Sequence, residues 1–238
     1  MYEQPTGLDE AEGSSLPWQA RERYPGPVQA LWETVKAVLF RPSAAFAHIE
    51  TYGSAGSSML YVVLLGTLGG LIGAGWQWLA RATGLFDMWF AIGGQGAPEA
   101  AQMPFSGVMM GAQVVVFAVL IPVMMVFVPI INAAILHVLL WMIGGANASF
   151  EGTYAVVAYG TGSTALLHII PFCGGLVGGI WNLVIQVIAV REVHETTTAK
   201  ALIAVLLPVV LCCGFMAVMG ILGAYAAIIA AGAMAAGA

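Results

Sequence analysis

The sequence predicts an all-α fold: a polytopic transmembrane helix bundle of five spans, introduced by short amphipathic helices before the membrane. Three observations predict it. Of 238 residues, 60% are hydrophobic and 8% are charged, against about one quarter charged in an average soluble domain. Several apolar runs reach the roughly 20 residues that a helix needs to cross a hydrocarbon core of about 30 Å. The charges are also segregated: residues 1–57 carry eleven of the nineteen, Glu151 stands alone between Ala101 and Val190, and Ala201–Ala238 carries none. A water-soluble fold of this size could not cover its surface with so few charges, so lipid must be part of the solvent.

The chain divides into a flexible tail (1–27), amphipathic or interfacial helices (28–57) and the transmembrane bundle (58–238). The tail reading rests on Pro, Gly, Ser, Asp and Glu over the first 25 residues. From Val28 to Phe40, Leu31, Trp32, Val35, Val38 and Leu39 recur at helical spacing, with Gln29, Glu33 and Lys36 opposite. Arg41-Pro42 ends this helix, and a second, Ser43 to Glu50, places Ala45, Phe46 and Ile49 on one side. These helices either pack on the cytoplasmic ends of the spans or lie among lipid headgroups. The first apolar run begins near Ser57, behind an acidic-leaning stretch, so no cleavable signal is expected.

Span one runs from about Met59 to Ala80 and closes on Arg81, with Trp76 and Trp78 at belt depth. A loop follows over 81–106, containing Asp87, Pro98, Glu99 and Pro104. The apolar stretch Val108–Ile143 is 36 residues (143 − 108 + 1), about 54 Å as a straight helix. Charge decides whether it is one span or two. Basic residues favour the cytoplasmic side near span ends. The N-terminal segment has four, and Arg191–Lys200 has two with His194 beside them. Both stretches share one side only if an even number of spans separates them. One long span kinked near Pro122 or Pro129, then Tyr154–Ile170 and Leu176–Val190, satisfies this and leaves Arg81 outside. A fifth span runs from Ala201 to about Tyr225, with a kink at Pro208 and a loosely ordered Ala/Gly end; a short sixth apolar helix is the alternative there.

In lipid, helices associate through close packing. Gly66/Gly70 and Gly69/Gly73 form small-xxx-small pairs in span one. Ala155, Ala158, Gly162 and Ala165 line span three, and Gly174, Gly178, Asn182, Gln186 and Ala189 line span four. Pro171–Gly175 is short, so these two spans are expected to pair antiparallel with those stripes facing. Asn182 and Gln186 must find hydrogen-bond partners, because an unpaired amide in hydrocarbon costs several kcal/mol. Interhelical glue is the plain reading; lining a substrate path is the functional one. The same holds for Gln113, Asn132, His137 and His168.

Net charge −5 offers no basic field for nucleic acid. Cys173, Cys212 and Cys213 show no CxxC or Cys/His ligand spacing, so no metal or cofactor is expected. Ser163 and His168 are five apart on one helix and do not face each other, and no nucleophile elbow surrounds Ser163. The chain reads as a non-enzyme.

Three stretches carry a resemblance. The first is Thr34–Phe46, an apolar helix followed by Pro42 and then Phe46 four residues on. The second is Ala148-Ser149-Phe150-Glu151-Gly152-Thr153-Tyr154, then Ala158-Tyr159 and Ile170-Pro171. The third is Gly179-Ile180-Trp181-Asn182-Leu183-Val184, then Val193–Ala201. In this order and spacing the chain resembles the Yip1 family in its shorter bacterial form, over roughly residues 30–215. The resemblance implies five spans with a cytoplasmic N-terminus, here in the bacterial cytoplasmic (inner) membrane. It also implies Trp32, Pro42, Phe46, Tyr154, Tyr159, Pro171 and Trp181 as motif or interfacial residues. Eukaryotic members are associated with vesicle trafficking, Rab-type GTPases and membrane shaping. Their Asp-Leu-Tyr-Gly-Pro kind of motif before span one is absent from this sequence. The expected role is therefore binding of the lipid bilayer and of membrane or peripheral protein partners, a homo-oligomer being one form this could take. A small-solute transporter or channel subunit, its path lined by Asn182 and Gln186, is the alternative.

Overall fold

A computed structural model describes residues 16–47, 49–85, 88 and 107–236, the side chains of 107–114 and 226–236 excepted. The described residues form helices and turns. After a short 3-10 turn (Arg21–Arg23) come α1 (Pro27–Phe40), α2 (Pro42–Ala47), α3 (Ala55–Ala82), α4 (Gly107–Met142), α5 (Phe150–Ala165), α6 (Gly174–Val193) and α7 (Thr198–Ala236). Another 3-10 turn, Leu166–Ile169, prolongs α5. Most of the expected loop 81–106 and the first part of the expected tail lie outside the described residues.

Local chemistry sets the boundaries. Pro27 opens α1, where its missing N–H is no loss. Arg41 closes α1 ahead of Pro42, as the residue before a proline disfavours the helical region. Gly144, at φ 64, ends α4 in a Schellman turn: Gly145 N donates to Leu140 O at 2.7 Å and Gly144 N to Trp141 O at 3.1 Å. Ser149 caps α5 by accepting from Gly152 N.

Around α5 the bundle closes. Every α5 residue from Gly152 to Ala165 is buried except Thr161, and α1, α3, α4 and α6 all pack on it. On the outside, α4 and α7 leave most of their apolar side chains exposed, as lipid-facing helices do. Four helices are long and apolar enough to cross a membrane: α3, α4 from Val115, α6, and α7 to Tyr225. The stretch Val108–Ile143 is one helix holding both Pro122 and Pro129. The expected third span, α5, is 16 residues long and falls short of that length by itself. The C-terminal stretch also differs from expectation. Helix α7 continues to Ala236 without a break, because an Ala-rich end keeps high helix propensity.

Two neighbours share the small residues of α3. Gly66 and Gly70 face Met125 and Ile121 of α4, while Gly69 and Gly73 face Ala165 and His168. The small residues of α5 are also split between two faces, which corrects the expected pairing. A methyl group at Gly162 would come 2.8 Å from the Tyr61 ring on α3. The side meeting α6 is instead formed by Gly160, against Asn182 and Gln186, and by the Thr164 carbonyl against Gly178. Positions 160 and 162 are about 200° apart on a helix, so a helix surrounded on all sides needs small residues on both.

Candidate functional site at the charged end of the bundle

Six of the seven Lys and Arg residues (Arg21, Arg23, Lys36, Arg41, Arg191 and Lys200) gather at the end of the bundle where α3 and α7 begin and α4 and α6 finish. Arg81 sits at the far end of α3. The sequence stretches 34–46, 148–154 and 193–201 all reach this end, where side chains join 148–154 to His194 and to residues 51–53, and 34–46 to Trp181 and Arg191.

Residues 16–47, with 49 and 50, form a collar. Thr34, Val35, Val38, Leu39, Phe46 and Ile49 are buried beneath it. Residues 16–24, read from composition as tail, pack into it: Trp18 is buried, its backbone N–H donating to Thr34 Oγ1 at 2.8 Å and its indole to Ser57 O at 2.9 Å. The Arg21 guanidinium lies over the Trp18 ring. Trp18 begins an aromatic ladder through Tyr61 to Tyr159, with centroids 6.1 and 4.8 Å apart. Gln19 fixes the strap further, its amide bonding the N–H and C=O of Glu50.

The collar dips along the bundle flank. The Trp181 indole, midway along α6, donates to Leu39 O at 3.1 Å, one of the carbonyls that the end of α1 leaves free. Arg191, which pairs with Glu192, reaches Ser43 Oγ at 3.5 Å. Residues 39–43 therefore lie beside α6 between two positions ten residues, about 15 Å, apart. Facing outward are Val28 and Phe40 (each 78% exposed), Tyr52 (77%) and Trp32 (53%).

Beneath the collar sits a buried polar cluster. His194 is fully buried. Its Nδ1 accepts from Ala148 N–H at 3.1 Å, which places the ring proton on Nε2, 3.0 Å from Thr153 Oγ1. Thr153 Oγ1 is in turn 2.7 Å from His137 Nδ1. Burial, and then the neighbouring His137, push the His194 pKa down to about 4. Around it Asn147 Nδ2 donates to His194 O, Ser149 Oγ to Thr51 O, Gly53 N to Glu151 Oε2 and Lys200 Nζ to Gly144 O. The cluster thus clasps three connections: 49–54, 143–149 and 194–197. Among the described residues no three His, Cys, Asp or Glu side chains meet in a metal-binding group.

The expected site residues are distributed as follows. Trp32 is outward-facing and Pro42 begins α2. Phe46, read as interfacial, is 1% exposed: α2 ends at Ala47, short of the expected Glu50, and packs on α6, with Phe46 and Ile49 both in the buried core. Tyr154 and Tyr159 are buried in α5. The Tyr154 hydroxyl has no hydrogen-bond partner, whereas the Tyr159 hydroxyl lies 3.5 Å from Ser57 Oγ. Pro171 is exposed at the opposite end, remote from the others. Gly178 and Gln186 lie in the α5–α6 contact, and Gly162 in the α3–α5 contact. Asn182, expected to find a partner, packs its Oδ1 against Gly160 and leaves it without one. The Ser163 hydroxyl is 2.7 Å from Tyr61 OH, and His168 Nδ1 is engaged by Ala165 O, so the two do not form a dyad. Sequence reasoning passed over Thr153 and His194 as a site. Both lie in the stretches that carried the family resemblance, which was the available signal.

A lipid-facing helical bundle closed at its charged end by a collar and a buried His–Thr–His clasp defines a polytopic membrane protein. The Yip1 domain profile matches residues 36–220, and the chain belongs to the Yip1 family. No curated protein and no solved structure matches it.

Proposed function

We propose that this protein is a non-enzymatic organiser of the bacterial cytoplasmic membrane, acting through the outward face of its collar on lipid headgroups or on a protein docked there. The observation that carries this reading is the depth of the collar. Residues 39–43 run beside α6 between Trp181 and Arg191, with Phe40 pointing away from the protein. Amphipathic segments bury their apolar side chains at this headgroup–acyl boundary. The gathering of six cations at that end favours a cytoplasmic N-terminal segment. Helix α5 and its 3-10 extension reach about 32 Å at ~1.5 and ~2.0 Å per residue, which supports a fifth crossing inside the other four.

Nitroxides at Phe40→Cys and Trp32→Cys should be quenched by lipid-borne collision agents as headgroup-depth sites. Trp32→Asp and Phe40→Asp should weaken that contact without preventing span insertion. Full water accessibility at both positions would overturn the reading. A solute path along Asn182 and Gln186 has weaker support, because α5 closes over that stripe at Gly160 and Thr164. Solute flux in proteoliposomes that disappears in Asn182→Leu would favour it instead.

A further inference from the structure

The outer side of α4 carries one feature that lipid cannot satisfy. Asn132 lies inside the membrane-capable stretch Val115–Met142, ten residues or about 15 Å before its end. It is exposed and has no hydrogen-bond partner among the described residues. Around it the exposed surface is wholly apolar: Val128, Ile131, Ile135 and Val138 are 44%, 58%, 46% and 53% exposed. The other polar side chains of this helix are accounted for differently. His137 is bonded to Thr153, and Gln113 lies outside the described side chains.

An amide in hydrocarbon keeps both its donors and its acceptor unmet, and such groups are rare unless another helix answers them. Asparagine is self-complementary, with an N–H₂ that donates and a C=O that accepts. Copies of one protein insert with the same orientation. A two-fold axis along the membrane normal therefore places every residue at the depth of its own equivalent. Asn132 then meets Asn132 without any search for register, and the flanking Val and Ile side chains pack around the pair. A headgroup or a water-lined partner could not serve at this depth.

We propose that the Asn132 face of α4 is an interface with a second copy of this chain, closed by reciprocal hydrogen bonds between the two Asn132 amides. Neither the collar nor its contact with lipid takes part in this interface, which is independent of the function proposed above.

The test uses the full chain in liposomes of neutral lipid at low protein-to-lipid ratio, with donor- and acceptor-labelled copies mixed. Wild-type protein is expected to show energy transfer that follows a dimer stoichiometry. Asn132→Leu should weaken association by about three- to thirtyfold, the range of one to two interhelical hydrogen bonds in a membrane. Leucine at a lipid-facing position leaves folding intact, and Asn132→Gln should restore much of the association. In a background with Cys173, Cys212 and Cys213 replaced, Ile131→Cys and Ile135→Cys should oxidise to a disulfide-linked dimer and Val210→Cys on α7 should not. A monomeric wild type, or Asn132→Leu associating as strongly as wild type, would overturn the proposal. So would cross-linking at Val210→Cys in place of Ile131→Cys.

Discussion

At the residue scale, the clasp at His194 makes a prediction whose sign follows from its hydrogen bonds. Its Nδ1 is committed as an acceptor from Ala148 N–H, so adding a proton there sets two donors face to face. In the folded protein His194 holds off protonation until about pH 4, whereas an unfolded histidine takes a proton near 6.5. Between these values the unfolded state binds more protons, so stability falls as pH drops through the window and is fully present above it. Thermal unfolding in detergent should show a midpoint that declines from pH 6.5 towards 4. His194→Gln keeps an acceptor and a donor but cannot titrate, so its curve should flatten at an overall cost of about 1–3 kcal/mol for imperfect bonds. A His194→Gln profile that parallels wild type would remove His194 as the cause. Trp18 makes a second prediction. Trp18→Ala empties the top of the aromatic ladder and should cost about 3–5 kcal/mol, read as a lowered unfolding midpoint together with faster proteolysis near Tyr24. Polar composition alone could not reveal this anchor. A single indole among Pro, Ser and Glu is invisible to a compositional rule, and its partners Thr34, Ser57 and Tyr61 are distant in sequence.

At the scale of elements, the sequence was informative wherever one helix met one neighbour, and less so where a helix met several. The amphipathic pattern of 28–40, the break at Arg41-Pro42 and the unity of 108–143 were all legible, because each rests on local sterics or on length. Two features of α1 were not. Thr34 belongs to the buried face because its hydroxyl returns a hydrogen bond to Ala30 O and receives one from Trp18 N, while Trp32 is half-exposed on the flank. One small-residue stripe of α5 was visible, without Gly160, and which neighbour it met depended on α5 being enclosed. Glycines of α3 test this packing quantitatively. A methyl group at Gly69 would run into the backbone carbonyl of Ala165, which cannot turn aside, so Gly69→Ala should destabilise by about 1–3 kcal/mol. At Gly70 the obstacle is the Ile121 side chain, and the loss should be smaller. Gly75 has open space around it, so Gly75→Ala should be neutral or gain up to about 1 kcal/mol from helix propensity. Unfolding midpoints in one detergent would rank the three; equal losses at Gly69 and Gly75 would contradict the close α3–α5 contact.

For the molecule as a whole, bilayer physics turns two clusters of charge into a statement about topology. The N-terminal cations and the Arg191–Lys200 pair meet at one end of the bundle, where Arg191 approaches Ser43 and Lys200 caps the end of α4. The chain therefore traverses the bundle an even number of times between Lys36 and Lys200. Helices α3, α4 and α6 account for three traverses by length and hydropathy. In the arrangement proposed above, the fourth is α5 with its 3-10 turn. That helix is shorter than a lipid-facing span and less apolar, because protein surrounds it on every side and backbone approach matters more there than hydrophobicity. The family match over 36–220 covers all of these traverses. Single cysteines at positions 36, 81 and 200, in a chain with Cys173, Cys212 and Cys213 replaced, make the outcome measurable with a membrane-impermeant maleimide. Labels applied from one side should reach positions 36 and 200 together, and only labels from the other side should reach 81. Reaction of 36 and 200 from opposite sides would require α5 to turn back within the membrane, and with it the five-span arrangement and the shared charged end would both be lost.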